Sequence, residues 1–199
     1  MIITVTLNAA IDRTAVINNF MPGKINRCDQ PVELPGGVTL LRDDYKSTLE
    51  TVDSALDVLE SIPAKRKLVV IGEVSEPVGA QGPIYRRLGE RIAGMASKLV
   101  VLGGNFQRYS TGALHAGMAN DAVVDAGRSV VAAFEAIRED LQPGDVVLVK
   151  GRDTQRIDRV SLGLMGRHIG CTLEVCSVKT GCATCPMLER GWGNRRAVT

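Results

Sequence analysis

From residue 38 onward the chain alternates between two hydrophobic periods. Runs dominated by Val, Leu and Ile at Val38 to Leu41, Lys67 to Gly72, Leu99 to Leu102, Ala122 to Asp125 and Val146 to Gly151 have the length and β-branched content of strands buried on both faces. Between the first two, Leu49, Val52, Ala55, Leu56, Leu59 and Ile62 form one apolar stripe at helical spacing, with Ser47 or Thr48 as cap and Pro63 at the end. Helices are predicted likewise over Ile84 to Ala96, Ser110 to Gly117, Val130 to Leu141 and Arg156 to Met165. Strands separated by helices predict an α/β fold: a Rossmann-like, mostly parallel sheet with helices on both faces and ligands at the carboxyl ends of its strands.

The ends of the chain break this pattern. Ile2 to Leu7 and Thr14 to Ile17 read as short strands around a polar turn, followed by turns at Pro22-Gly23 and at Leu34 to Gly37. A lone hairpin cannot bury a core, so Ile2 to Leu7 is expected to pair with an edge of the larger sheet, or with a second copy to give a homodimer. After Cys171 the alternation stops, which predicts a small irregular knuckle and a mobile tail. The division is therefore an amino-terminal β segment (1–37), a sheet domain (38–170) and a cysteine-bearing extension (171–199).

Composition narrows the function classes. Of 199 residues 45% are hydrophobic, enough for a packed core, and 24 Lys and Arg against 22 Asp and Glu leave no basic excess to recruit nucleic acid. No apolar run approaches the roughly 20 residues that a membrane span needs, and the amino terminus lacks the basic region of a signal peptide, so a cytoplasmic location is the default expectation. In a reducing compartment the spacing Cys171-x4-Cys176-x5-Cys182-x2-Cys185 supplies the four thiolates of a closed structural Zn²⁺ site. An iron–sulfur cluster and free thiols are the alternatives. His115 and His168 lack ligand spacing and read as ordinary histidines.

The motifs carry two resemblances. Leu41-Arg42-Asp43-Asp44-Tyr45, Val70-Ile71-Gly72-Glu73, Val101-Leu102-Gly103, Pro143-Gly144-Asp145 through Lys150-Gly151, and Arg156-Ile157-Asp158-Arg159 stand in the order found in Mur ligase C-terminal domains. Over residues 38–169 the chain resembles in particular the branch that adds D-alanyl-D-alanine to cell-wall precursors. Thr4 to Thr14, Pro22 to Arg27 and Pro35-Gly36-Gly37 resemble instead the amino terminus of ribokinase-like 1-phosphofructokinases and tagatose-6-phosphate kinases. The kinase's Gly-Ala-Gly-Asp element is absent, so no kinase activity is expected, and the chain reads as a hybrid. A Mur-ligase-like group with a short extension ending in Cys-x2-Cys-Pro resembles the carboxyl end.

The Mur resemblance implies ATP with Mg²⁺ as cofactor and an amino-acid or peptide amine as partner. It implies a nucleotide contact at Asp44, with Asp43 as alternate in the doublet, Tyr45 and Lys46 beside it, and Lys150 at the strand end. The alternatives are an acidic helix cap for the aspartates and an ion pair for Lys150. Glu73 and Glu76 lie where a substrate ammonium would be received, or are solvated loop residues; Arg152 and Arg156 repeat the argument for Lys150 in weaker form. In the kinase-like segment Asp12 would bind sugar hydroxyls. No Gly-x-x-Gly-Lys-[Ser/Thr] phosphate loop is present, so a ligase domain that is not catalytically complete alone is expected. The rival is a non-catalytic interaction module with a zinc knuckle.

Overall fold

The computed structural model describes the backbone of residues 2–6 and 12–16 and all of residues 31–198. The chain divides into two compact units, Met1–Gln30 and Pro31–Thr199. In the first, β1 (Ile2–Thr6) pairs antiparallel with β2 (Asp12–Val16), Ile2 opposite Val16 and Thr6 opposite Asp12. One edge of β1 is thus taken by the next strand, since closing a short loop costs little entropy. Asp12 starts β2, but its side chain, Cys28 and most of the sugar-kinase-like pattern lie outside the described residues.

The second unit begins with β3 (Val32–Leu34), a strand not predicted from the sequence because it has only three residues. It turns through Pro35-Gly36-Gly37 and pairs antiparallel with β4 (Val38–Asp43). Gly36 and Gly37 have φ of 87° and 73°, a region glycine enters without a Cβ clash. Then follow α1 (Leu49–Ser61), β5 (Arg66–Ile71), α2 (Gln81–Ala93), β6 (Lys98–Val101), α3 (Phe106–His115), β7 (Val123–Asp125), α4 (Val130–Arg138), β8 (Asp145–Lys150) and α5 (Asp158–Leu164). Thr48 caps α1 by accepting from the Thr51 N–H, and Ser129 caps α4 by accepting from the Ala132 N–H.

The sheet order is β3-β4-β8-β5-β6-β7, parallel throughout except for the β3 edge. Alternate strand residues separate two cores. Val69, Ile71, Leu99, Val101 and Leu148 pack with α1, α2 and α3, whereas Leu68, Val70, Val100, Val147 and Val149 pack with α4 and α5. Helices therefore cover both faces, as the periodicity predicts. Helices α2 and α3 approach closely because Gly89 and Gly112 lie at their crossing: a Cβ at either would strike the other helix's backbone.

The cysteine-bearing extension is more ordered than expected. It contains β9 (Val175–Cys176), α6 (Met187–Arg190) and β10 (Ala197–Val198), and the tail is tied down by parallel pairing of β10 with β9. No helix among the described residues is long and apolar enough to cross a membrane.

Candidate functional site at the carboxyl edge of the sheet

Strands β5 and β8 are neighbours, but the chain leaves β5 toward α2 on one face and leaves β8 toward α5 on the other. Their loops diverge and open a crevice at the carboxyl edge, where such sheets receive ligands. A cavity of about 200 Å³ lies there, lined by Glu73, Leu102, Gly103, Arg128, Arg152, Gln155, Glu174 and Val175 among others.

Glu73 is the best-positioned side chain of the cavity. On either side of it in the chain, the Tyr109 hydroxyl donates to the Gly72 carbonyl at 3.1 Å and the Val74 N–H donates to the Tyr85 hydroxyl at 3.1 Å. The two tyrosine rings meet edge to face, 5.0 Å apart, and burial raises both phenol pKa values, so they stay neutral as hydrogen-bonding anchors. The Glu73 N–H donates to Gln155 Oε1 at 2.8 Å, while its carboxylate accepts from the Gly104 N–H at 3.2 Å and from Arg152 at 2.8 Å. Gln155 Nε2 donates in turn to the Leu102 carbonyl at 3.0 Å, joining the loops after β5, β6 and β8. Gly103, with φ of 118°, lets these side chains cross: a Cβ there would lie 2.9 Å from Gln155 Nε2 and 3.0 Å from Glu73. Arg152 Nε is buried with no hydrogen-bond partner among the described residues.

The Asp43 to Lys46 segment ends β4 nearby. Its backbone is held by the Asp153 N–H, which donates to the Tyr45 carbonyl at 3.0 Å. Asp44 is buried and paired with Arg42 at 2.8 Å, whereas the Tyr45 ring is 67% exposed. Lys150 is fully buried: its ammonium pairs with Asp43 at 3.1 Å and donates to Thr51 Oγ1 and the Lys46 carbonyl. The cation thus joins the strand end to the start of α1, in line with the ion-pair alternative, though its partner carboxylate stands on β4 and not at a helix end. Asp44 and Asp158 line a second cavity of about 170 Å³ with Arg42, Tyr45, Arg156 and Lys179. Burial, and then the nearby Asp44 charge, push the Asp158 carboxyl up.

Other predicted residues are not brought to the first cavity. Glu76 is exposed on its loop at a φ of 45°. Arg156 is buried and donates to the carbonyls of Cys176 at 3.0 Å and of Val178 and Thr180. Arg159, also buried, donates to the carbonyls of Cys171 at 3.2 Å and Leu173 at 2.7 Å and to Cys182 Sγ at 3.4 Å. These two guanidiniums organise the extension.

The thiols are not gathered into one group in this structure. Cys171 and Cys176 pack with Leu173, while Cys182 packs with Leu162 and Leu188 in a separate cluster. Among the described residues no three His, Cys, Asp or Glu groups converge to hold a metal ion. Burial, with the Asp158 charge second, pushes the Cys182 thiol up to about 11.

Of the residues that line this cavity the sequence singles out Glu73 and Arg152, but not Gln155, Arg128 or Glu174. Nothing local marks them, because each reaches the cavity from a different loop.

The chain matches the Mur ligase, glutamate ligase domain family over residues 27–152. It is 30% identical over 148 residues to the UDP-N-acetylmuramoyl-tripeptide–D-alanyl-D-alanine ligase of Synechocystis, a match covering 69% of this chain and 32% of that protein. The chain therefore spans about a third of the length of that curated relative. Its fold is similar to MurF ligase from Thermotoga maritima, solved in complex with ADP, with a TM-score of 0.53 and 21% identity over 69% of this chain and 30% of the other. MurF from Acinetobacter baumannii is similar with a TM-score of 0.57 and 19% identity, over 70% of this chain and 30% of the other.

Proposed function

Because this chain belongs to the Mur ligase glutamate ligase domain family, we propose that its switch-point cavity receives the amine in an ATP-dependent, amide-forming reaction on a cell-wall precursor. In such a reaction ATP phosphorylates a carboxylate with release of ADP, the deprotonated amine adds to the resulting acyl phosphate, and the tetrahedral intermediate collapses to the amide as the C–O bond to inorganic phosphate breaks. The work of this domain is positioning: fixing the amine against its partner removes much of the entropy cost of a bimolecular step. The observation that carries the reading is the Glu73–Arg152 pair, held rigid by Tyr85, Tyr109 and Gln155 on the wall of the cavity. Glu73 accepts hydrogen bonds from the ammonium of an amino acid or peptide, and Arg152 with Arg128 takes its carboxylate.

ATP fits the residues present in part. Tyr45 offers an exposed ring for a base, and Asp44 offers a carboxylate for ribose hydroxyls, with Asp43 behind it at the strand end. Lys150 and the Lys46 carbonyl are engaged with each other, so the phosphates and Mg²⁺ of the nucleotide find few partners here. The ligand named for the Thermotoga relative, ADP, is consistent with a nucleotide as one ligand of a protein of this family.

Calorimetric titration of the whole chain tests the reading. D-Alanyl-D-alanine, the amine in the name of the Synechocystis relative, is expected to bind and to lose at least tenfold in affinity in Glu73→Gln. ADP is expected to bind more weakly to Asp44→Ala than to the unaltered chain. Absence of binding for both ligands at millimolar concentration would refute the reading and favour a non-catalytic interaction module.

A further inference from the structure

We propose that the cysteine-bearing extension forms the selective wall of the amine cavity, with Glu174 and Val175 as its specificity-determining residues. The inference rests on the reading of the cavity given above. Both residues line the cavity, although they are more than twenty residues beyond β8, and among the described residues no other lining residue comes from the extension.

Their position is built, not incidental. Arg159 holds the carbonyls of Cys171 and Leu173, and Arg156 holds those of Cys176 and Val178, so Glu174-Val175 is suspended between two anchored stretches. The N–H groups of Glu174 and Val175 both donate to the Arg196 carbonyl, at 3.1 and 3.4 Å, where β10 joins β9. Arg156 takes a left-handed backbone, φ 54°, a conformation that is unfavourable for a non-glycine residue and persists only where the surroundings enforce it. Neither guanidinium has a carboxylate within ion-pair distance among the described residues, so both buried charges face backbone carbonyls and the extension's conformation follows theirs.

The wall adds chemistry as well as shape. Glu73 is already engaged by Arg152, whereas Glu174 has no ion-pair partner among the described residues. Glu174 therefore presents a second carboxylate to a cationic group of the ligand. Val175, nearly half exposed, limits how far a ligand can extend toward the extension.

The test uses the whole chain, with D-alanyl-D-alanine, its N-acetyl derivative and tri-D-alanine as ligands in calorimetry and circular dichroism as the check on folding. Glu174→Gln is expected to weaken the free dipeptide by about fivefold, the upper range for a partly exposed ion pair, and to leave the N-acetyl derivative unchanged. Val175→Gly is expected to raise the affinity for the tripeptide relative to the dipeptide severalfold. Arg156→Lys, which retains the charge but loses the forked donors, is expected to shift both preferences with Glu174 and Val175 intact. If Glu73→Gln abolishes dipeptide binding while Glu174→Gln and Val175→Gly leave affinities and ranking unchanged, the wall proposal is overturned and the amine-site reading stands. If the unaltered chain binds none of the three ligands, both are overturned.

Discussion

The two ends of the sheet use the same kinds of side chain to opposite effect. At the amino-terminal end, Arg66 on β5 makes a two-pronged ion pair with Asp145 on β8, at 2.7 and 3.0 Å, and reaches Asp140 at 3.2 Å, while Lys98 on β6 adds a contact to Asp140 at 3.4 Å. Gln142 N–H donates to Asp145 as well, and the charges close on one another over the ends of three adjacent strands. At the carboxyl end, Glu73 and Arg152 pair just as closely, yet Arg128, Glu174 and the polar edge of Gln155 stand around them with a cavity between. The chain makes hairpin-tight use of β3 and the Lys65 N–H to Gly144 carbonyl bond at the first end, but its long β5–α2 and β8–α5 loops part at the second. A network that closes lends stability; one that parts leaves polar groups for a ligand.

The sharpest way to break this comparison is to delete one carboxylate at each end. Asp145→Ala leaves the Arg66 guanidinium without its main partner and is expected to cost about 3 kcal/mol in urea unfolding, with D-alanyl-D-alanine affinity unchanged. Glu73→Gln is expected to cost under about 1 kcal/mol, since Arg152 reaches solvent, while affinity falls at least tenfold. Equal stability losses at both ends would refute the contrast.

Alkaline pH probes the packing of the extension through Cys182. The folded Cys182 pKa of about 11 lies above the usual thiol value of 9, so both states are protonated well below pH 9 and the thiol there has no effect on the slope. Between pH 9 and 11 the unfolded chain ionises first, and stability is expected to fall by about 2 kcal/mol at pH 11. Cys182→Ala should remove that part of the decline, which paired denaturation curves across the range will show.

Gly103→Ala strains a left-handed residue and pushes Gln155 from Glu73, with an expected cost of about 1 to 2 kcal/mol and loss of dipeptide binding. The smallest effects come from acid titration and differ in sign. Burial disfavours the Asp140 carboxylate, but its bonds to Arg66 and Lys98 outweigh this and hold its carboxyl below the usual value. Its contribution to stability is present above pH 3.8 and lost as pH falls through the folded pKa. Asp158, raised by burial and by Asp44, favours the folded state below pH 3.8, and that contribution is lost as pH rises through its folded pKa. At neutral pH, therefore, Asp140→Asn is expected to destabilise and Asp158→Asn to stabilise, each by under about 1 kcal/mol in thermal unfolding.

Much of the sheet domain was legible along the chain. Runs such as Leu68 to Ile71 cannot face water on either side, and the stripe from Val52 to Leu59 has one buried face at any helical register, so their elements follow from local pattern. The place of Glu73 at the carboxyl edge of the sheet was legible too, because it directly follows the buried run that forms β5. The three-residue β3 was not, since its strand character depends on the β4 edge beside it. The spacing of the cysteines suggested a metal site, but spacing alone does not state whether sulfurs converge. Here Arg156 and Arg159 gather the carbonyls of the segment and leave the thiols in separate apolar clusters.

What the sequence determined by itself is the alternation of elements and the family they belong to, because both are carried by periods of two and 3.6 residues and by short motifs at fixed spacing. Only the tertiary structure decided which charges meet. Glu73, Arg152, Gln155 and Glu174 come together across loops as much as about a hundred residues apart, and Lys150 turns inward to Asp43 and Thr51. Those pairings depend on strand order and on the faces to which successive loops depart, neither of which is encoded in any local stretch of the chain.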